Sequence, residues 1–471
     1  MRIENKATSL WSNILKLNMP QVRAFHMSWF AFFLCFFAWF GIAPLMHVIR
    51  EDLQLTKSEI GWSIIASVAA TVFARLFVGW LCDRVGPRLT YTWLLILGSL
   101  PVMAIGFAQD AWTFIFFRLL IGMIGASFVV TQYHTSIMFA PNVVGTANAT
   151  SAGWGNLGGG VTQMIMPLIF AGLVSVFSLS AAWGWRLSMV VAGLVCMLTG
   201  FAYYLFTQDA PNGNFKELRA KGELGEGEQD KGAFWKVCQD RRVWALFVIY
   251  AACFGMELTI NNIAVLYFLD YFEYFQHMTA TDALKAAGLI AALFGLTNSF
   301  ARTAGGAIGD AFGQRWGLGG RVHWLFLAVF CEGLALMLFS QMQVLALAIP
   351  VLMLFSVCVQ SASGATYCVV PFINKKAMGS VAGIVGAGGN AGAVAAGFLF
   401  QGFIAWPTAL LILGGIATSC SFAAFAVTFS PEEETEARKE AARSRAKELR
   451  SRETDSQDSG ADQDSPLLGT T

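Results

Sequence analysis

Roughly a dozen apolar stretches run one after another through the chain, each near the ~20 residues that a helix needs to cross a hydrocarbon layer about 30 Å thick. In lipid every backbone N–H and C=O must be satisfied within the protein, which leaves only helices and closed barrels. Runs such as FFLCFFAWF and LALAIPVLMLF do not alternate in polarity, so barrel strands are excluded. Charged residues make up only 13% of the chain, against about a quarter in a soluble domain. The chain reads as an all-α membrane protein.

The expected spans are 25–49, 61–82, 89–108, 113–133, 148–178, 184–207, 243–269, 284–309, 322–340, 343–372, 380–404 and 408–429. They give twelve transmembrane helices in two six-helix bundles, 25–208 and 243–429. A cytoplasmic segment, 1–24, precedes them, a mixed-charge linker, 209–242, joins them, and a largely disordered tail, 430–471, follows. The first apolar run is too long for a removable signal peptide. Lys and Arg set the orientation: the two ends, the central loop and alternate short loops hold 24 of the 31 basic residues, so both termini are expected in the cytoplasm.

The two halves repeat one another. Arg75, Gly79, Asp83, Gly86 and Arg88 form R-x3-G-x3-D-x2-G-x-R, and Arg302, Gly306, Asp310, Gly313 and Arg315 form it again at the matching place in the second half. A second pair, G-N-x-G, comprises Gly155, Asn156 and Gly158 in span five and Gly389, Asn390 and Gly392 in span eleven. Repeated halves with a site at their interface are the usual construction of secondary transporters.

Arg75 lies eight residues before Asp83, about 12 Å into the membrane at 1.5 Å per residue, and Arg302 stands equally far from Asp310. Arginine at such depth is costly and normally faces a cavity or a partner. Spans one to six offer no carboxylate at that depth; the nearest counterparts, Glu257 and Glu332, belong to the other half. Two such cations call for an anion, and a planar guanidinium fork suits a small planar oxyanion: nitrate, nitrite, a carboxylate or bicarbonate. The structural alternative is a static pair with Glu257.

The stretches SAGWGNLGGGVTQ and GIVGAGGNAGAVAAG, with Gly153, Gly155, Gly158, Gly159 and Gly160 in the first and Gly386, Gly388, Gly389 and Gly392 in the second, allow close helix packing. Asn156 and Asn390 add amides that serve either an anion or neighbouring backbone. Asp83, Arg84 and Arg88, with Asp310 and Arg315, are expected on short cytoplasmic turns, as gating charges or as membrane anchors. Arg118 reads as structural or gating. Glu257, in FGMELTINN, is the candidate for proton coupling, with a permanent arginine or asparagine partner as its alternative.

Other classes have no support in the chain. The five histidines show no metal-ligand spacing, no phosphate-binding loop occurs, and no nucleophile–base pair stands in the spans, so neither a cofactor nor ATP hydrolysis is expected and transport is gradient-driven. A net charge of +1 gives no field for nucleic acid, which leaves the lipid bilayer as the surrounding partner. The tail begins PEEETEARKEAARSRAKELRSRE, a charged solvated helix, and ends DSPLLGTT, an acidic dileucine-like sorting element.

GWLCDRVGPR resembles the loop signature of the major facilitator superfamily. AGWGNLGGGVTQ, GAGGNAG, ARLFVG and ARTAGG, together with FHMSWFAFFLCFFAWFGIAPL, TQYHTSIMF and VVPFINKKAMG, resemble the nitrate/nitrite porter family, especially its eukaryotic, algal or plant-like high-affinity members, over roughly residues 20 to 430. The resemblance implies the major facilitator fold, nitrate held between Arg75 and Arg302, glycine-signature helices that move beside it, and Phe128 as an aromatic wall. Thr303 stands where plant-like relatives usually carry proline, which puts the bend of span eight in question. Some relatives work with a small single-pass accessory protein.

Moving one negative charge into an inside-negative cell costs about 2.3 kcal/mol per 100 mV, so uptake has to be coupled. The expected function is proton-coupled nitrate symport, with nitrite as a further substrate, by alternating access in the plasma membrane. Nitrate/nitrite exchange or carriage of another small anion is the alternative within transport. A nitrate sensor without flux is the alternative outside it.

Overall fold

Residues 5–139, 144–222, 233–374, 378–402 and 404–439 are described by the computed structural model; inside its helices a few side chains, those of Asp83 and Asp310 among them, lie outside the described set. Among the described residues twelve helices are long and apolar enough to cross a membrane: α1 (Pro20–Asp52), α2 (Lys57–Gly79), α3 (Pro87–Phe107), α4 (Ala111–Met138), α5 (Ala147–Val176), α6 (Ala181–Phe206), α7 (Arg241–Tyr271), α8 (Ala280–Gly313), α9 (Leu318–Ser340), α10 (Leu345–Val369), α11 (Gly383–Phe400) and α12 (Trp406–Ala426). The α2 helix runs on to Val85, α8 to Trp316, and the α11 helix begins at Met378. Among the described residues the only strand-like pairings are two isolated bridges, Ala7 with Phe139 and Ala210 with Gly213.

Local signals start these helices. Thr56 accepts from the Glu59 amide while Glu59 reaches back to the Thr56 amide at 2.8 Å, a reciprocal cap that opens α2. Asp110 and Thr113 do the same for α4, and single side-chain caps from Ser180 and Thr279 open α6 and α8. Proline occupies the first turn of α1, α3 and α12, where its missing N–H costs nothing.

Packing repeats with the sequence. In the first half α1 packs on α5, α2 on α4 and α3 on α6; in the second half α7 packs on α11, α8 on α10 and α9 on α12. Across the halves α5 meets α8 and α2 meets α11, the two contacts that a twofold relation between halves would interchange. The cross-half contacts run from mid-membrane to the end opposite the termini. Arg50 pairs with Asp270 at 2.7 Å, Arg118 donates to Asn262 at 2.7 Å, and the rings of Trp62 and Phe398 lie 5.8 Å apart. Gly160 and Gly295 bring the α5 and α8 backbones together, where a Cβ on Gly160 would lie 2.6 Å from Gly295. The molecule is closed at that end.

At the end that carries the termini, each half uses one carboxylate to close its signature loop. Gly86, at φ +91°, ends the α2 helix, and Asp209 accepts from the amides of Arg88 at 2.8 Å and Phe215 at 3.0 Å. Gly317, at φ +76°, ends the α8 helix, and Glu434 accepts from the amides of Leu318 at 2.9 Å and Gly319 at 2.8 Å. In both cases the carboxylate comes from the chain just past the half's sixth span. Burial pushes the Asp209 carboxyl above its ordinary range, and the two amides pull it back.

Several boundaries differ from the sequence reading. The turn expected around Asp310 and Arg315 is helix, because Phe312 and Trp316 stack edge to face at 4.7 Å and hold α8 together for another turn, as far as Gly317. Asp83 and Arg84 likewise lie in the last turn of the α2 helix, and Arg88 in the first turn of α3. The start of the linker is packed rather than solvated: Ala210, Phe215 and Leu218 bury themselves against Ile137 and Tyr133. Residues 431–439 form a helix, while DSPLLGTT lies outside the described residues.

The bend of α8 is present without proline. The helix Ala280–Leu296 gives way to a tighter turn, Thr297–Ser299, and resumes as Ala301–Trp316. Thr297 and Ser299 donate their hydroxyls to the carbonyls of Phe294 at 2.9 Å and Leu296 at 2.8 Å, and the Phe300 amide turns to Thr297 at 3.2 Å. Side-chain hydroxyls competing for helical carbonyls are a known cause of bending.

Candidate functional site

Arg75 and Arg302 are each 7% exposed and share one aromatic neighbour: their guanidinium carbons lie 5.7 Å and 5.6 Å from the ring centroid of Phe254 on α7. Both cations lie against a single ring. Arg75 also lies 5.4 Å from the ring of Phe128, so the residue expected as an aromatic wall stands beside it. Tyr367 of α10 closes the group, 6.3 Å from Phe128 and 5.1 Å from Tyr250, ring to ring.

The two arginines are held differently. Nη1 of Arg75 donates across the halves to the carbonyl of Gly386 at 3.0 Å, while its Nε and Nη2 have no hydrogen-bond partner among the described residues. Those two nitrogens form the side-on edge of the guanidinium, the edge that takes two oxygens of a planar anion in parallel. Arg302 spends one nitrogen of that same edge on Glu257, with Nη2 2.7 Å from Oε2, and keeps Nε without a partner. Asn298 donates to the other oxygen of Glu257 at 2.9 Å.

Glu257 thus joins the arginine site instead of standing apart, and the two cations and one anion leave a single positive charge in excess. Burying an uncompensated charge costs several kcal/mol, which two aromatic faces offset only in part.

The asparagines and glycines divide by role. Neither amide atom of Asn156 has a partner among the described residues; Asn390 donates weakly to Gly386 at 3.5 Å, and its oxygen has none. Gly155 and Gly158 press α5 onto Phe32 and Phe33 of α1, while Gly388, Gly389 and Gly392 press α11 onto Phe247, Phe254 and Ala251 of α7. Gly160 makes the cross-half contact with Gly295. Gly153 faces the carbonyl of Asn298, Gly159 lies near Asn261, and Gly386 lies between Tyr367 and Arg75. Small-residue packing accounts for most of the set.

The charges expected to gate remain at the end that carries the termini. Arg88 donates to the Tyr204 carbonyl at 2.6 and 2.8 Å and stacks on that ring, fastening α3 to α6. Arg84 is exposed, Arg315 is exposed over the ring of Trp316, and the side chains of Asp83 and Asp310 lie outside the described residues.

Sequence reasoning missed Phe254, Asn298, Tyr250 and Tyr367. Helical spacing held the signal for three of them: Tyr250, Phe254 and Glu257 fall on one face of α7, and Asn298 precedes Arg302 by about one turn.

Comparison with known proteins gives a concordant picture. The family model described as Major Facilitator Superfamily matches residues 28–371. The chain is 40% identical over 420 residues to High affinity nitrate transporter 2.5 of Arabidopsis thaliana, covering 89% of this chain and 81% of that protein. It is 37% identical over 404 residues to High-affinity nitrate transporter 2.3 of Oryza sativa subsp. japonica, covering 84% and 74%. Among solved structures, a bacterial homolog to the human lysosomal transporter Spinster superposes with a TM-score of 0.66 at 14% identity, covering 88% of this chain and 99% of that one. That last likeness concerns the fold alone.

Proposed function

From the chain's membership of the Major Facilitator Superfamily and, within it, of the nitrate/nitrite transporter family, we propose that it is a high-affinity nitrate carrier that holds the anion between Arg75 and Arg302 and moves it together with protons. The observation that carries this reading is the free side-on edge of Arg75. A buried cation without a carboxylate partner, anchored by its third nitrogen to the opposite half, is built for a planar oxyanion.

The anion enters from the side opposite the termini while the halves are apart there. Its oxygens take Nε and Nη2 of Arg75 and the free nitrogen of Arg302. With both cations answered, α5 closes on α8 and α2 on α11, giving the closed outer end described above, and release follows toward the cytoplasm. Phe254 lies against both guanidiniums and Phe128 against that of Arg75, and these rings exclude water from the site. Both termini are assigned to the cytoplasm and the protein to the plasma membrane, with nitrite as a second substrate and a small single-pass accessory protein as a partner.

Nitrate/nitrite exchange is the second reading, favoured by the engagement of Glu257 with Arg302 and Asn298, which leaves it no free role in carrying a proton. Purified protein in liposomes separates the two. Labelled nitrate uptake driven by an inward proton gradient with a negative interior supports symport. Uptake only into nitrite-loaded vesicles, indifferent to the proton gradient, supports exchange and defeats symport.

A further inference from the structure

Glu332, near the middle of α9, is 0% exposed, and neither of its carboxyl oxygens has a hydrogen-bond partner among the described residues. It is enclosed by α7, α10 and α12 of its own half, against which α9 packs. The ionisable side chains that act on or neighbour it are Glu257 and Cys253 from α7, Cys358 from α10, Cys420 from α12 and Cys331 from α9 itself. The remaining neighbour, α8, carries Arg302, but that guanidinium is turned to Glu257. Among the described residues no cation answers Glu332.

A bare carboxylate in such a place costs several kcal/mol, and a neutral carboxylic acid costs far less. We propose that Glu332 is a proton-binding site, linked through Glu257 to the occupancy of the arginine pair. The linkage rests on the carrier reading above; the proton on Glu332 does not.

The coupling follows from one shared neighbour. Arg302, 2.7 Å from Glu257, offsets part of the negative charge that Glu332 feels. An anion on the free nitrogen of Arg302 draws on the same cation and weakens that offset, so the field of Glu257 holds the proton on Glu332 more firmly. When the anion leaves, the charge of Arg302 answers Glu257 alone and the proton is released more readily. Binding linkage is reciprocal, so the proton in turn favours the anion, which is the sign that symport requires. No other bond is made or broken: the proton enters from water and returns to it.

The test is infrared difference spectroscopy on the full-length protein in nanodiscs, titrated with pH and then with potassium nitrate, for wild type and Glu332→Gln. The substitution keeps the shape and neutrality of the protonated acid, and thermal unfolding confirms that the variant is folded. A protonated-acid C=O stretch present in wild type, missing in Glu332→Gln and displaced by nitrate is the expected result. In liposomes, proton uptake per nitrate falls by one in the variant. Absence of that band at every pH, or a band unmoved while nitrate binds, overturns the proposal. If wild type binds no nitrate at all, the carrier reading fails and takes the linkage with it, and the pH titration alone still decides whether Glu332 holds a proton.

Discussion

Replacing Arg75 by lysine keeps the charge and removes the edge. Among the described residues Arg75 has one hydrogen-bond partner, the Gly386 carbonyl, which leaves two nitrogens for the proposed anion. Lysine offers the anion a single point contact, so at least one charge-assisted hydrogen bond is lost, worth about 1.5–3 kcal/mol. At 1.4 kcal/mol per tenfold, Kd for nitrate should rise roughly 10- to 150-fold. Arg302→Lys should cost less, because half of the corresponding edge is already given to Glu257 and an ammonium can still satisfy that carboxylate. The assay is direct binding of labelled nitrate to purified protein in nanodiscs at fixed salt, with thermal unfolding measured in parallel to show that each variant is folded. Affinities of Arg75→Lys and Arg302→Lys both within about threefold of wild type would refute the two-arginine site, since the loss of one charge-assisted bond already predicts more.

Other expectations concern the surroundings of that site. Phe254→Leu removes the ring shared by both cations and should destabilise the anion-free protein by about 1–2 kcal/mol; a thermal shift on adding nitrate larger than that of wild type is the expected reading, and an equal shift argues against the shared face. Gly160→Ala overpacks the α5–α8 contact at a cost of about 1–3 kcal/mol, felt only when the outer end is closed; a cysteine placed at Gln401, which packs against Gly61, should then label faster with an impermeant maleimide, and unchanged labelling would count against it. Asp209→Asn loses one charge-assisted bond to the amides of Arg88 or Phe215 and should lower the unfolding temperature. Because the folded-state carboxyl of Asp209 is raised, the folded protein binds its proton more tightly than the unfolded chain; wild type should gain stability as pH falls through that range, and Asp209→Asn should lack the gain.

The membrane helices were legible because lipid admits so few backbone solutions, and Arg75 and Arg302 because charge at that depth demands a reason. Contacts across the halves were not. Gly386 follows Arg75 by 311 residues, and no local pattern encodes such a neighbour. Within the second half, the arginine and asparagine partner that the sequence offered as the alternative for Glu257 is the arrangement present. The repeat itself misled at its end. Gly86 and Gly313 match in sequence, yet only Gly86 breaks its helix; in the second half Gly317 does so, one turn later, because two aromatic rings favour continuing. Thr303 drew attention to the bend of α8, whereas the hydroxyls of Thr297 and Ser299, ordinary residues in an ordinary run, produce it.

That bend gives the two arginines unlike mountings. Arg75 rides on an unbroken rod, Lys57–Val85, so any tilt of α2 carries it along rigidly. Arg302 sits two residues beyond the break at Phe300, at the root of a short arm, Ala301–Trp316, whose far end is tied by Glu434. A torque applied at the outer end of α8 is therefore absorbed at the break before it reaches Arg302, while the same torque on α2 reaches Arg75 undiminished. The halves share a motif but not a stiffness, and in the proposed site the anion would rest between a lever and a hinge.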